Sequence, residues 1–167
     1  EGNLDAALEQ YGEAVRLNPA DARAHLELGE FYAEQGDFEQ AIAHYEDALR
    51  VKPDFAYALD RLGRVLALTG RRDEAIRRYR DTLAVDPDNQ DVHYLLGREL
   101  AAAGETEEAR RHFEEALRLN PEDARALNEL GDLLYKAGDV EGAMRRYQGA
   151  LRVAPAFGYV LYKMGRI

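Results

Sequence analysis

Apolar side chains along this chain recur at helical spacing in short blocks, and polar stretches carrying glycine or proline separate the blocks. Leu62 and Leu66 share one face of a block, and Tyr79 and Leu83 share a face of the next. Read window by window, the pattern predicts a helix, a tight turn, a second helix and a proline turn, repeated along the whole chain. Neither helix of such a pair can bury its apolar face alone, so neighbouring pairs must stack into one continuous core.

The punctuation is periodic. The five prolines, Pro19, Pro53, Pro87, Pro121 and Pro155, stand 34 residues apart. In the same register lie Gly29, Gly63, Gly97, Gly131 and Gly165, and a second glycine column of Gly2, Gly36, Gly70, Gly104 and Gly138. Alanine recurs at 7, 41, 75, 109 and 143, and an aromatic at Tyr11, Tyr45, Tyr79, Phe113 and Tyr147. Each column has a physical task. Proline lacks an N–H and disfavours helix at the residue before it, so a helix must end there. Polar residues just after it, such as Asp21, Asp54 and Asp123, are expected to cap the next helix. The second glycine column supplies the left-handed residue that closes the first helix of each pair. Asp37 is then placed to cap the second helix, with Gln40 positioned for a capping box. Gly63 and Ala75 are expected to let the paired backbones approach closely.

A proline-terminated 34-residue helix–turn–helix with a Leu-Gly pair, Tyr, Ala, aromatic and Ala resembles the tetratricopeptide repeat family. Leu28-Gly29, Tyr32, Ala41, Tyr45, Ala48 and Pro53 form the clearest window. The resemblance covers the whole chain and implies an all-α fold, an α-solenoid of stacked antiparallel helix pairs wound into a right-handed superhelix. Full repeats then occupy 22–55, 56–89, 90–123 and 124–157, with the second half of a repeat at 1–21 and the first part of another at 158–167. Departures are mild: His25, Leu59, His93, Leu127 and Leu161 stand where an aromatic is usual, and Thr82 replaces a late small residue. Pentatricopeptide arrays lack this glycine–alanine register. Leu4, Leu8 and Tyr11 at one end, and Leu161 and Met164 at the other, are expected to leave apolar stripes open. The opening Glu1-Gly2-Asn3 reads as the interior of a longer chain.

Composition narrows the function. Formal charge is −10, from 22 basic and 32 acidic residues, which opposes binding to nucleic acid or to an anionic membrane. Acids interleave the arginine-rich tract Arg71–Arg80, and pairs such as Glu107–Arg111 and Glu141–Arg145 sit at helical spacing, as on a solvated face. No apolar run is long enough for membrane insertion. Cysteine is absent, which excludes disulfides and thiolate metal sites and leaves the compartment open. The histidines pair by repeat position, His25 with His93 and His44 with His112, without carboxylates at ligand spacing. They therefore read as packing residues at the helix seam, and neither a metal nor a cofactor is expected. With no phosphate loop, nucleophile elbow or carboxylate pair in a pocket, an enzyme is not expected either.

A second stripe on the first helix of each pair is unexplained by packing. It comprises Tyr57, Asp60, Arg64 and Ala67, then Asp91, Tyr94, Arg98 and Ala101. Arg125, Asn128, Asp132 and Tyr135 follow, and last Tyr159, Tyr162 and Arg166. Offsets of 3, 7 and 10 keep each set on one face. In the family this sequence resembles, these faces line the concave groove that receives peptides or partner helices. Side-by-side tyrosine and arginine offer large rigid area, a polar tip and a planar charge. The expected partner is accordingly a protein or peptide. Acids at Glu30, Asp60, Asp91 and Asp132 and the lack of groove lysines argue against a lysine clamp for a chaperone's C-terminal carboxylate. Two alternatives stay open: a docking segment of a larger enzyme such as a glycosyltransferase or sulfotransferase, and an architectural repeat stacking head to tail through its end helices.

Overall fold

The computed structural model describes the backbone of residues 2–166 and the side chains of residues 8–166. Every element in it is a helix, and the chain divides into two compact units, Glu1–Pro87 and Asp88–Ile167. The first unit contains α1 (Gly2–Leu17), α2 (Ala22–Glu34), α3 (Phe38–Val51), α4 (Ala56–Leu68) and α5 (Arg72–Val85). Each of these packs on the next in sequence, and α2 also touches α4. The second unit repeats the scheme with α6 (Gln90–Ala103), α7 (Thr106–Leu119), α8 (Ala124–Lys136), α9 (Val140–Val153) and α10 (Gly158–Met164).

Gly36, Gly70, Gly104 and Gly138 all have positive φ, between 77° and 87°, where a side chain would be strained. They close α2, α4, α6 and α8 so that the next helix folds straight back. Capping is less uniform than expected. Asp21 and Asp123 cap α2 and α8, Asn89 caps α6, and Asp37 and Asp139 cap α3 and α9. Asp54 caps nothing, because the cap position of α4 is Phe55, which makes no side-chain bond.

The glycine of the Leu-Gly pair faces an aromatic ring. A Cβ on Gly63 would lie 2.7 Å from the Tyr79 ring, and those on Gly29, Gly97 and Gly131 would meet Tyr45, Phe113 and Tyr147 at 2.5–2.7 Å. The close approach expected between Gly63 and Ala75 is therefore an approach of ring to backbone, with Ala75 fully buried beside it. All four rings are at most 1 % exposed. Thr82 is buried as well, and its hydroxyl donates to the Arg78 carbonyl at 2.8 Å, which satisfies the extra polar atom.

The ends are only partly as expected. Leu8 and Tyr11 are half-buried and Leu161 is exposed, while Met164 packs against the cluster of Ala143, Tyr147 and Val160. Leu4 lies outside the described side chains. Val160, at the centre of α10, carries the apolar contact that holds that helix.

Asp123 does more than cap α8. Its buried carboxylate accepts the amides of Arg125 and Ala126, the Arg125 guanidinium at 2.8 Å and the Gln90 side chain. Burial pushes its pKa up, but Arg125 and the amides outweigh this and leave it below the ordinary carboxylate value. A depressed carboxylate stabilises the fold above the unfolded pKa, near 4, and loses that contribution as pH falls below it. Asp123→Ala is expected to cost about 2 kcal/mol at neutral pH. Asp54→Ala should stay within about 0.5 kcal/mol. Urea denaturation of both variants, with the difference shrinking towards pH 3, checks this.

Candidate partner-binding faces

In the first unit the stripe lies on α4. Tyr57 is 45 % exposed, and the Arg61 guanidinium sits over its ring, 4.5 Å from the centroid. Asp60 is buried and takes both its hydrogen bonds from Arg64 Nε, at 2.9 and 3.0 Å. Arg61 also reaches back to Glu30 on α2, where Nε and Oε1 are 3.0 Å apart but misaligned for a hydrogen bond, an ion pair held by charge alone. Burial raises the Glu30 pKa against the opposing pull of Arg61.

In the second unit the stripe residues form two contact groups, one linking α6 to α8 through Arg125 and one linking α8 to α10 through Lys163. Arg125 donates to Asp91 at 2.8 Å and lies over the Tyr94 ring at 4.6 Å. Lys163 donates to Asn128 at 2.8 Å and to Asp132 at 2.6 Å, and sits 4.4 Å from the centroid of the Tyr159 ring. Tyr159 and Tyr162 are 63 % and 60 % exposed and near-parallel, with centroids 6.5 Å apart. Tyr135 and Arg98 are exposed alongside, with Arg98 3.4 Å from Glu99. Tyr94 and Asn128 are buried. Burial also raises the Tyr94 and Glu129 pKa values, with Glu129 pushed further by Asp132. Asp123 and Asp91 hold the Arg125 proton more firmly than usual, so this cation is fixed at any working pH.

In the first unit Asp60 is buried, Arg64 half-buried and Tyr57 exposed; in the second Tyr94 and Asn128 are buried, and Asp91, Arg98, Arg125, Tyr135, Tyr159 and Tyr162 are exposed. Asp132 lies between, half-buried, its other oxygen accepting from the Tyr147 hydroxyl at 2.6 Å. Lys163 is a contributor the stripe rule missed. It falls one position off the stripe, yet its long side chain reaches two stripe residues, so the face does contain a lysine. Its register was a usable signal: Lys163 and Asp132 stand three repeats, 102 residues, beyond Arg61 and Glu30. A cleft of about 840 Å³ in the second unit lies elsewhere, among Leu127, Gly142, Arg146 and Gly149, and shares no residue with the stripe.

Two tetratricopeptide repeat family models match the sequence, one over residues 1–56 and 94–159 and the other over 32–99. The chain belongs to the tetratricopeptide repeat family. Solved structures show the same fold. A crystal structure of MamA superposes with a TM-score of 0.86 at 23 % identity, covering 91 % of this chain and 89 % of that one. YrrB, described as a TPR protein with an unusual peptide-binding site, gives 0.87 at 22 % identity over 97 % and 84 %. PilF of Pseudomonas aeruginosa gives 0.83 at 25 % over 96 % and 73 %. No curated protein sequence matches. A tetratricopeptide array supports a protein-interaction scaffold as the general role. In the described residues no helix is long and apolar enough to cross a membrane.

Proposed function

We propose that this tetratricopeptide array is a non-catalytic scaffold that holds a peptide or partner helix against its first-helix faces. The supporting observation is the pair of contact groups Asp91–Arg125–Tyr94 and Asn128/Asp132–Lys163–Tyr159–Tyr162. It pre-orders rings and cations, so a ligand meets side chains whose rotamers are already restricted. The peptide-binding site named for YrrB agrees with this reading. Arg98 and Arg64, each partly exposed, offer bidentate donors to a ligand carboxylate.

Panning a displayed-peptide library against the intact chain should enrich binders. Arg64→Glu with Arg98→Glu should weaken them about 100-fold, roughly tenfold for each arginine. Arg64→Glu also takes away the donor of buried Asp60, so an unchanged helical circular dichroism signal in the double variant is the control that assigns the loss to binding. Undiminished binding by the double variant refutes the assignment of these faces.

A further inference from the structure

The four histidines form pairs other than those that repeat position joins. His25 on α2 faces His44 on α3, Nδ1 to Nδ1 at 3.3 Å, and His93 on α6 faces His112 on α7 at 3.0 Å. Each pair is 19 residues apart, across the hairpin of one repeat. In the intervening repeats Leu59 with Arg78, and Leu127 with Arg146, occupy the same two positions, so the two positions change together.

At the first pair a third donor converges. Asp47 Oδ2 lies 3.8 Å from His25 Nδ1, and the three ligand atoms all fall within 4.8 Å of one another, the one such group among the described residues. We propose that His25, His44 and Asp47 form a binding site for a divalent transition-metal ion of the zinc type.

The protonation pattern suits a metal. His25 Nε2 lies 3.1 Å from the Pro19 carbonyl oxygen, which can only accept, so Nε2 carries the hydrogen and Nδ1 presents its lone pair inward. A carbonyl behind a ligating imidazole in this way fixes its tautomer and orientation. The periodic proline turn thus supplies the supporting acceptor. The His44 ring is oriented by stacking on Tyr32, with centroids 5.4 Å apart and planes within 3°. Asp47 Oδ1 is held by Arg50 at 2.6 Å, which leaves Oδ2 for the ion.

Distances agree as well. Two nitrogens about 2.05 Å from a tetrahedral ion are about 3.3 Å apart, the spacing found here. Asp47 Oδ2 lies 3.8 Å from His25 Nδ1 and within 4.8 Å of His44, so the carboxylate has to close by about 0.5 Å towards the one and by up to about 1.5 Å towards the other, through rotation of its own side chain. Two imidazoles and one carboxylate suit zinc, cobalt, nickel or copper better than magnesium or calcium. Because His44 and Asp47 are half-exposed, a fourth position is open to water or to a partner's side chain. The second pair is the internal control. There no third donor converges on the two histidines among the described residues.

The test is calorimetric titration of the chelator-treated intact chain with zinc chloride, alongside cobalt(II) absorption spectra. One zinc ion per chain should bind, and cobalt should show the visible bands of a low-coordinate site. His44→Gln and Asp47→Asn should each weaken zinc about 100-fold, and His112→Gln should leave it unchanged. Circular dichroism of each variant confirms that the fold persists, and His44, being half-exposed, tolerates glutamine. No zinc binding below millimolar concentration overturns the proposal, and so does equal loss from His112→Gln and His44→Gln. Neither arm depends on the peptide-binding faces, so the two proposals stand or fall separately.

Discussion

Gly97→Ala is expected to destabilise the second unit by about 3 kcal/mol, the upper end of the range for overpacking. The added Cβ would sit 2.7, 2.8 and 3.1 Å from three carbons of the Phe113 ring, which is itself fully buried. A flexible side chain would swing aside, but a ring enclosed on every side can yield only by moving a helix. Since α6 and α7 meet at this contact, the clash pushes the hairpin apart. Phe113→Leu alone should also destabilise, through the cavity it leaves, by about 1–2 kcal/mol. Combining the two should cost less than the sum, because the smaller side chain makes room for the methyl. Chemical denaturation of the four proteins measures that coupling, and strict additivity would show that the glycine serves some other purpose.

The second large effect is expected at Asp132. Asp132→Ala should cost about 3 kcal/mol, between the value of a surface pair and that of a fully buried one. Its two oxygens accept from Tyr147 and Lys163, both at 2.6 Å, and Lys163 has only 14 % of its side chain exposed. Alanine leaves the buried Tyr147 hydroxyl without an acceptor and Lys163 with Asn128 alone. Burial, the hydrogen bond to Asp132 and the Asp132 charge raise the Tyr147 pKa, in keeping with a phenol that donates to this carboxylate. Hydrogen exchange should report the loss first in residues 158–164, since α10 is tied to α8 through Lys163. Adding Lys163→Met should recover part of the stability by removing the unpaired charge. If α10 keeps its protection in Asp132→Ala, the Val160 contact alone holds it.

Much of this architecture is legible in the sequence, because what repeats is local. A proline ends a helix wherever it falls, and a glycine at the turn takes positive φ whatever surrounds it, so helices and turns follow from the ladder. Even the stripe of the site follows from helical geometry, since offsets of 3, 7 and 10 share a face in any helix. Caps were readable where the aspartate adjoins the helix start, as at Asp21 and Asp123. They were not readable at Asp54, which stands one position before the cap that Phe55 occupies.

Only the tertiary structure decided which residues meet across helices. Periodicity assigns a residue to a face and says nothing of what fills the space opposite. Thus Gly63 answers to the Tyr79 ring, Tyr94 sinks under Arg125, and Lys163 enters a stripe to which its position does not belong. The histidines show the distinction most sharply. Repeat position joined His25 to His93, whereas folding brought His25 to His44, because the turn at Gly36 lays α3 against α2. Residues in equivalent positions of a repeat share an environment, and contact requires residues in complementary positions. The sequence by itself therefore determined the helices, their breaks and their faces. The packing of one helix on another determined which side chains became partners, because the distance between two faces is set by every residue lying between them.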